Sequence, residues 1–211
     1  MTDAGAVASA GGGGGLSPWR SRRAVATLAI VTLSALAVDL ASKAIAFAAI
    51  APDPVVVRRT EVLEAKSLET LIPWHEPVVI VPRVLELTLV LNPGAVFGIG
   101  AGARWFFVIF TVLAIGFGLW MFGAWTKPRH RMAHAAIGLL IAGGLGNLYD
   151  RLRFACVRDF IHPLPDVRFP FGWKLPGQPS GEIWPYVSNV ADLWLLIGIG
   201  LLMIHLWRNG K

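Results

Sequence analysis

The sequence contains an uninterrupted run of 22 residues, Trp105 to Thr126, in which no side chain is charged. As an α-helix, this run is about 33 Å long, which is enough to cross the hydrocarbon core of a bilayer. Such a helix satisfies its own backbone hydrogen bonds in lipid, whereas a water-soluble fold has few places for a helix that is apolar on every face. The run therefore predicts a membrane-spanning helix at about residues 105–126.

Three further apolar segments predict additional spans, at about residues 24–50, 132–149 and 188–207. The first contains Asp39 and Lys43, and its apolar run from Ala24 to Val38 also fits a secretory signal peptide cleaved at Ala35-Leu36-Ala37. Its continuation to about Ala51 favours a transmembrane helix. Composition agrees, because 55% of the residues are hydrophobic and only 15% are charged. We predict a mainly α, polytopic membrane protein with four transmembrane helices.

Basic residues lie in the three segments that flank the span ends on one side. They are Arg20, Arg22 and Arg23, then Lys127, Arg129 and Arg131, and finally Arg208 and Lys211. Because Lys and Arg near span ends favour the cytoplasm, both termini are predicted to be cytoplasmic. The Ala- and Gly-rich residues 1–23 are predicted to be a disordered cytoplasmic tail, residues 24–207 the membrane domain, and residues 208–211 the cytoplasmic end.

Two long segments, roughly residues 52–104 and 150–187, are left on the outer side. In the first, Val78–Val81 and Val84–Leu91 are rich in β-branched and aliphatic residues, which predicts a small extracytoplasmic β element. In the second, residues 163–186 are rich in proline and glycine, which predicts an irregular outer loop that borders the functional site.

Several function classes lack their usual residues. Cys156 is the only cysteine, so a multi-thiolate metal site is not possible. His130 and His134 have helical spacing, but Arg131 stands where a zinc peptidase motif needs Glu. The net charge is +6, yet the basic residues are spread among apolar segments and form no nucleic-acid-binding motif. We predict no metal, no cofactor and no nucleic-acid partner.

Two aspartates are predicted to lie near the outer interface. Asp159 follows the third span by about ten residues, and Asp192 lies in the first turns of the fourth. Two carboxylates that come close tend to share one proton, which leaves one as a base and the other as an acid. Such a pair can direct water at a peptide bond. The 33 residues between them do not establish proximity, so two unrelated interfacial aspartates remain an open alternative.

Two other functions compete with a peptidase. A small membrane transporter or proton relay would use intramembrane Asp residues distributed over the bilayer depth. The central parts of the second, third and fourth predicted spans contain no Asp or Glu, which disfavours such a path. A noncatalytic membrane scaffold that docks partners on the long loops is compatible with the composition.

Five separated sequence blocks resemble signal peptidase II, the prolipoprotein signal peptidase family of bacteria. They are Asp39-Leu-Ala-Ser-Lys43, Asn92-Pro-Gly-Ala-Val-Phe97, Gly146-Asn-Leu-Tyr-Asp-Arg151, Val157-Arg-Asp-Phe160 and Asn189-Val-Ala-Asp192. They occur in the order found in that family, and together with the four predicted spans and the basic edges they cover most of the chain, from about residue 24 to 207. The resemblance implies an intramembrane aspartyl endopeptidase that removes signal peptides from diacylglyceryl-modified lipoprotein precursors just before the lipidated Cys.

The same resemblance implies the site residues. Asp159 and Asp192 would be the catalytic dyad. Substrate-binding or supporting roles are implied for eight residues: Asp39, Lys43, Asn92, Gly94, Asn147, Asp150, Arg151 and Asn189. For Asp150, an interfacial ion pair with Arg151 is an alternative, and Asp39 with Lys43 has the alternative of pinning the first helix. Gly94 is expected to supply a turn after Pro93.

Partners and location follow from the resemblance as well. Lipid-modified lipoprotein precursors and membrane lipids are the implied partners, and globomycin-type cyclic peptides are the implied inhibitors. The implied location is the bacterial cytoplasmic (inner) membrane, with the active site near the outer interface. The chain departs from the family at Ser188, where Phe is usual, in the length of segments 52–77 and 163–186, and in its Gly-rich tail.

Overall fold

The computed structural model describes residues 17–94, 104–174 and 181–209. Four of its helices are long and apolar enough to cross a membrane, which confirms the predicted mainly α, polytopic architecture. In chain order the helices are α1 (Arg22–Ala49), α2 (Arg59–Glu64), α3 (Arg104–Trp125), α4 (Arg131–Phe154) and α5 (Val190–Asn209). The short α2 lies outside the four spans. Phe97, Lys211 and residues 1–16 of the predicted tail lie outside the described residues.

Helix α4 is the centre of the bundle. More than half of its apolar stretch is buried, whereas the stretches in α1, α3 and α5 are mostly exposed at the surface that lipid would cover. Two side chains tie α1 to its neighbours: the Thr32 hydroxyl donates to the Gly138 carbonyl at 3.2 Å, and the Trp194 indole donates to the Ala35 carbonyl at 3.0 Å. Packing and buried hydrogen bonds together hold α1, α4 and α5 as one unit.

The described start of the chain differs from the predicted disordered tail. Pro18–Arg20 forms one turn of 3-10 helix, and α1 begins at Arg22. The Trp19 ring packs edge-on against Phe122 of α3, with 4.6 Å between ring centroids. This aromatic contact adds apolar burial that offsets the entropy of ordering the segment.

Helix α4 continues beyond the predicted end of the third span at about Tyr149 and ends at Phe154. It stops at Ala155, which adopts a left-handed conformation with a φ of 67° and so terminates the helix. The extra turn carries Asp150 into the protein interior, where the side chain is fully buried. Asp159 consequently follows the helix by five residues rather than about ten.

The predicted β element is confirmed and is larger than expected. Strands β1 (Val78–Val81), β2 (Leu85–Asn92) and β3 (Val157–Pro163) form an antiparallel sheet in the order β1-β2-β3. The third strand was not expected. Its register pairs Val90 with Asp159 and Asn92 with Val157, so Asn92 lies diagonally across from Asp159.

The free edge of β3 pairs with Ser188, which lies two residues before α5. Ser188 bridges to Ile161: its N–H donates to the Ile161 carbonyl at 2.8 Å, and its carbonyl accepts the Phe160 and Ile161 N–H groups at 2.9 and 2.8 Å. The backbone part of this pairing does not depend on the side chain, so Ser in place of the family's usual Phe preserves it, and the Ser188 hydroxyl adds a donation to the Ile161 carbonyl at 3.3 Å. Because Ser188 belongs to the bridge, α5 begins two residues later than predicted, at Val190.

The opposite end of the bundle brings the basic segments together. Trp19, before α1, contacts the end of α3, and the His130 ring lies 4.7 Å from the His205 ring of α5. The start of α1, the end of α3, the start of α4 and the end of α5 therefore share one end of the molecule.

Candidate active site

Asp159 on β3 and Asp192 on α5, together called the dyad, converge on one residue, Asn189. The Asn189 side-chain amide donates to Asp159 Oδ1 at 2.5 Å. Its backbone N–H donates to Asp192 Oδ2 at 3.2 Å. The bridge at Ser188 sets this position, because it places the next residue beside the strand that carries Asp159. Two carboxylates 33 residues apart in sequence thus share a hydrogen-bonding partner.

Asp192 is oriented by the start of α5. Asn189 precedes the first helical residue, and its side-chain oxygen accepts the Asp192 N–H at 3.2 Å, while the Asp192 carboxylate accepts the Asn189 N–H. This reciprocal pair has the geometry of a capping box. The partial positive charge at a helix N-terminus favours an ionised carboxylate there. Asp192 remains partly exposed, so water can reach it.

Asp159 occupies a different environment. Its side chain is 1% exposed. Burial raises the pKa of this carboxyl to about 7, and the negative charge of Asp192 acts in the same direction, whereas the amides of Asn189 and Asn92 favour the ionised form. Asp159 therefore retains its proton to much higher pH than an ordinary aspartic acid does.

Asn92 supplies the second amide at Asp159, and its orientation is fixed. The Asn92 Oδ1 atom accepts the Gly94 N–H at 2.8 Å, which turns the amide nitrogen towards Asp159 Oδ2 at 3.0 Å. Gly94 makes this turn with a φ of 93°, a conformation that favours glycine. A β-carbon at Gly94 would also lie 2.7 Å from the Phe107 ring. The turn expected after Pro93 extends beyond Gly94 into residues 95–103, which lie outside the described residues.

Asn147 of α4 connects the dyad to the helix core. Its amide nitrogen donates to Asp192 Oδ1 at 2.8 Å. Its oxygen accepts from Asn189 Nδ2 at 3.1 Å and from Lys43 Nζ at 3.0 Å. Since both acceptor contacts come from groups that only donate, the amide cannot rotate without losing them.

Four charged side chains form a second cluster next to the dyad. This ion-pair cluster contains Asp39, Lys43, Asp150 and Arg158. Lys43 Nζ lies 2.9 Å from Asp39 and 3.5 Å from Asp150, and Arg158 lies 2.9 Å from Asp150. The first three side chains are fully buried and Arg158 is 8% exposed. Each buried charge has an oppositely charged partner, as low-dielectric surroundings require.

The sequence left an ion pair between Asp150 and Arg151 as an alternative, and the structure shows other partners for Asp150. Asp150 pairs with Arg158 and Lys43 instead. Adjacent residues on a helix point about 100° apart, so Asp150 faces the interior while Arg151 faces elsewhere. The Arg151 guanidinium lies over the Phe107 ring at 5.1 Å and donates to the Asn147 carbonyl at 3.3 Å. Its Nε atom is buried without a hydrogen-bond partner among the described residues.

Asp39 joins α1 to the start of α5. Its Oδ1 atom accepts the Ala191 N–H at 2.8 Å, so a residue far away in sequence satisfies one of the free N–H groups of that helix start. Gly146 makes the approach possible, because a β-carbon there would overlap the Asp39 carboxylate. The helix that carries Asp192 is consequently fixed by Asn189 locally and by Asp39 from α1.

Comparison with models of protein families shows to which family this chain belongs. A family model described as Signal peptidase (SPase) II matches residues 31–208, which include all ten predicted site residues. The chain belongs to the signal peptidase II family. The resemblance read from the five sequence blocks is confirmed, and membership in signal peptidase II makes the chain a peptidase.

Individual relatives agree with this assignment. A lipoprotein signal peptidase of Syntrophotalea carbinolica is 34% identical over 139 residues, which cover 64% of this chain and 76% of the relative. One from Streptococcus pyogenes serotype M1 is 38% identical over 130 residues, covering 61% and 73%. Two solved bacterial membrane enzymes share the fold. The first has a TM-score of 0.62 and 24% identity, and the match covers 89% of this chain and 91% of that one. The second has a TM-score of 0.60 and 22% identity, and the match covers 88% of this chain and 95% of that one.

This signal peptidase II member has a cleft at the end of β2, the strand that carries Asn92. A cavity of about 550 Å³ is lined by Leu91 and Pro93, the residues on either side of Asn92, and by Arg104 and Trp105 of α3. The segment after α1 closes its other side with residues that include Val62 and Leu68. The departure in length at 52–77 therefore contributes a wall of this cleft. In the described ranges, no three His, Cys, Asp or Glu side chains are arranged to hold a metal.

Sequence reasoning missed Arg158. It precedes Asp159 in a block that was noted only for its aspartate, and its partner Asp150 is eight residues earlier. The sequence did contain a signal for it. A carboxylate near bilayer depth, such as Asp150, needs a cation, and Arg151 cannot supply it because adjacent residues on a helix point in different directions.

Proposed function

We propose that this chain is an aspartyl endopeptidase that removes the signal peptide of diacylglyceryl-modified lipoprotein precursors, cutting just before the lipidated Cys. Asp159 and Asp192 act together on water. The observation that most directly supports this is the shared partner of the two carboxylates, since Asn189 hydrogen-bonds both. Membership in a lipoprotein signal peptidase family supports the substrate.

The two environments favour different roles within the dyad. Asp159, whose pKa is raised to about 7, is the protonated member, and Asp192, at the helix N-terminus and in reach of water, is the ionised member. Water loses a proton to Asp192 as its oxygen bonds to the scissile carbonyl carbon. Asp159 gives its proton to the carbonyl oxygen, which yields a gem-diol.

Collapse of the gem-diol completes the reaction. Asp192 passes its new proton to the amide nitrogen as the C–N bond breaks, and one gem-diol hydroxyl returns a proton to Asp159. The products are a carboxylic acid at the end of the signal peptide and an amine on the lipidated Cys, and the dyad regains its starting state. Because Asp159 must carry a proton, turnover should fall as the pH rises past about 7.

The location of the site suits a lipid-anchored substrate. The dyad lies at the end of the bundle opposite the basic segments, and basic segments favour the cytoplasm. We therefore place both termini in the cytoplasm and the dyad at the outer interface of the bacterial cytoplasmic membrane. There the acyl chains stay among membrane lipids while the polypeptide reaches the polar boundary. Globomycin-type cyclic peptides are expected to compete for the cleft.

A transporter or proton relay receives no support from the arrangement of acidic groups. Asp39, Asp150, Asp159 and Asp192 are gathered at one end of the bundle, and a relay needs groups distributed over the bilayer depth.

The decisive experiment is cleavage of a purified precursor by the purified chain in lipid, with an unlipidated precursor as the substrate control. Asp159→Asn and Asp192→Asn should each lower turnover by at least about 10³-fold, because each removes one proton-transfer group. Asp53→Asn, which changes an exposed aspartate after α1, is the matched control and should retain wild-type turnover. Melting temperatures report whether each variant is folded.

Two results would contradict the proposal. Substantial cleavage by either folded dyad variant would exclude the paired-aspartate mechanism. Loss of wild-type cleavage on adding EDTA, restored by a divalent metal, would indicate metal catalysis instead.

A further inference from the structure

One carboxylate at the end of α4 receives three N–H groups from a single residue. The Arg158 backbone N–H donates to Asp150 Oδ2 at 3.0 Å, its Nη2 donates to Oδ1 at 2.9 Å, and its Nε donates to Oδ1 at 3.3 Å. Both backbone and side chain of the residue before Asp159 are thereby fixed to α4. Charge-assisted contacts of this kind are the strongest hydrogen bonds that proteins make.

We propose that Arg158 is a positioning residue for the peptidase reaction: its ion pair with Asp150 fixes β3 against α4 and so holds Asp159 at the dyad. The inference rests on the proposed function. Asp159 immediately follows Arg158, so a shift of Arg158 moves the reacting carboxyl away from Asn189 and Asn92.

The ion pair also closes a ring of contacts that joins the two aspartates. From Asp150 the path continues to Lys43 at 3.5 Å, from Lys43 to Asn147 at 3.0 Å, and from Asn147 to Asp192 at 2.8 Å. On the other side, Asn189 joins Asp192 to Asp159. Every member of the ring has its position limited by two neighbours, and Arg158 with Asp150 is the link that includes the strand.

The surroundings of Arg158 select an arginine. Its guanidinium lies over the Phe154 ring at 4.3 Å and over the Phe47 ring at 5.9 Å, and the residue is 8% exposed. A planar guanidinium can stack on a ring and donate two side-chain hydrogen bonds to one carboxylate, and an ammonium cannot reproduce both. Lysine at this position should keep the charge and lose part of the geometry.

Loss of Arg158 should also change the charge near the dyad. Asp39, Lys43, Asp150 and Arg158 sum to zero, and without Arg158 the ion-pair cluster carries one net negative charge. The other charged groups that face Asp159 are Asp192 from α5, Lys43 from α1 and Arg151 from α4. An added negative charge makes the Asp159 proton harder to remove, so the alkaline limb of the pH profile should move to higher pH.

The test measures kcat, KM and the pH profile of precursor cleavage. Arg158→Met should lower kcat by about 10- to 100-fold with little change in KM, because misplacement of a reacting group by about 1 Å has that effect. Its alkaline limb should shift upward. Arg158→Lys should recover part of kcat and return the limb towards the wild-type position. Arg153→Met, which removes an exposed arginine from the same helix end, is the control and should change neither quantity.

A double variant separates positioning from stability. Asp150→Asn combined with Arg158→Met removes both charges, so the melting temperature should recover towards the wild-type value while kcat stays low. Recovery of kcat together with stability, or a wild-type kcat in Arg158→Met, would overturn the inference. If Arg158→Met fails to fold, a wild-type kcat in Arg158→Lys would overturn it, because lysine keeps the charge but loses the paired geometry. A wild-type chain that does not cleave the precursor would instead overturn the proposed function.

Discussion

Two polar clusters lie side by side in this protein and handle buried charge in opposite ways. In the ion-pair cluster, every carboxylate meets a cation within 3.5 Å. At the dyad, in the part of the chain that the structure describes, neither carboxylate forms an ion pair, and side-chain amides take the place of cations. Buried charges that compensate each other resist change.

The amides give the dyad a different property. An amide N–H can donate to a carboxyl group in either protonation state, because a protonated carboxyl keeps a carbonyl oxygen that accepts. It does not force the carboxylate to ionise as a cation would. Amides therefore leave the proton of Asp159 available for transfer, while the neighbouring cluster keeps the helices in place. The two clusters therefore differ in what faces their carboxylates: cations in the ion-pair cluster, and neutral amides at the dyad.

Lys43→Met should have the largest effect on stability, because it leaves Asp39 without its cation and Asp150 with only Arg158. Removing one partner of a buried ion pair destabilises a protein by about 3–5 kcal/mol. The expected result is a large fall in melting temperature in detergent, and a low yield of folded protein.

The double variant Asp39→Asn with Lys43→Met is the control for this change. It restores charge balance, and the side-chain oxygen of the substituted asparagine can still accept the Ala191 N–H that Asp39 accepts in the wild type. Much of the lost stability should return. A double variant as unstable as Lys43→Met would show that charge compensation is not what the cluster provides.

The stability of the wild type should depend on pH through Asp159. Its pKa is about 7 in the folded protein and near 3.8 as an ordinary aspartic acid. The protonated form favours folding, so this contribution is complete below about pH 4 and is lost as the pH rises through about 7. Asp159→Asn cannot titrate, and its stability relative to the wild type should rise over that window by on the order of a few kcal/mol.

Thermal unfolding of both proteins at a series of pH values checks this expectation. Other carboxylates titrate in both proteins and cancel in the difference, so only the slope of the difference against pH matters. A difference that stays constant between pH 4 and pH 7 would mean that Asp159 is not held in its protonated form.

Gly146→Ala tests the contact between the two clusters. Its β-carbon would overlap the Asp39 carboxylate, which lies between Lys43 and the start of α5. Overpacking of this kind costs about 1–3 kcal/mol. Because Asp39 also holds the helix of Asp192, turnover should fall together with the melting temperature. Gly116→Ala is the matched control, since nothing lies near its β-carbon position. Equal behaviour of the two variants would argue against a tight contact at Gly146.

The sequence contained part of this arrangement in local patterns. Apolar length predicted the four spans, and β-branched runs predicted two of the three strands. The spacing of Asn189 and Asp192 is that of a capping box, so their mutual orientation was within reach of local reasoning. Apart from the family resemblance, the separation of Asp159 from Asp192 along the chain left their meeting open.

Other contacts depend on tertiary structure that no local pattern encodes. Asp39 satisfies an N–H group of α5 from 152 residues away, and the Ser188 bridge joins two segments whose side chains give no sign of pairing. The end of α4 was missed because Ala155, a residue without a preference for the left-handed region, terminates the helix. That ending brings Arg158 back to Asp150, so an error in one boundary concealed an ion pair.

An exposed ion pair should contribute much less to stability than the buried pairs do. Arg58 and Glu61 lie 3.4 Å apart, but their side chains are 70% and 47% exposed. Water and salt screen such a pair, and exposed pairs contribute about 0–1 kcal/mol. Glu61→Gln should therefore leave the melting temperature nearly unchanged, and added salt should not distinguish it from the wild type. The same chemical pairing is expected to matter at Asp150 and not at Glu61, because only the buried carboxylate would be left in surroundings that cannot solvate it. A loss at Glu61→Gln as large as that of Lys43→Met would mean that burial does not decide how much these pairs contribute.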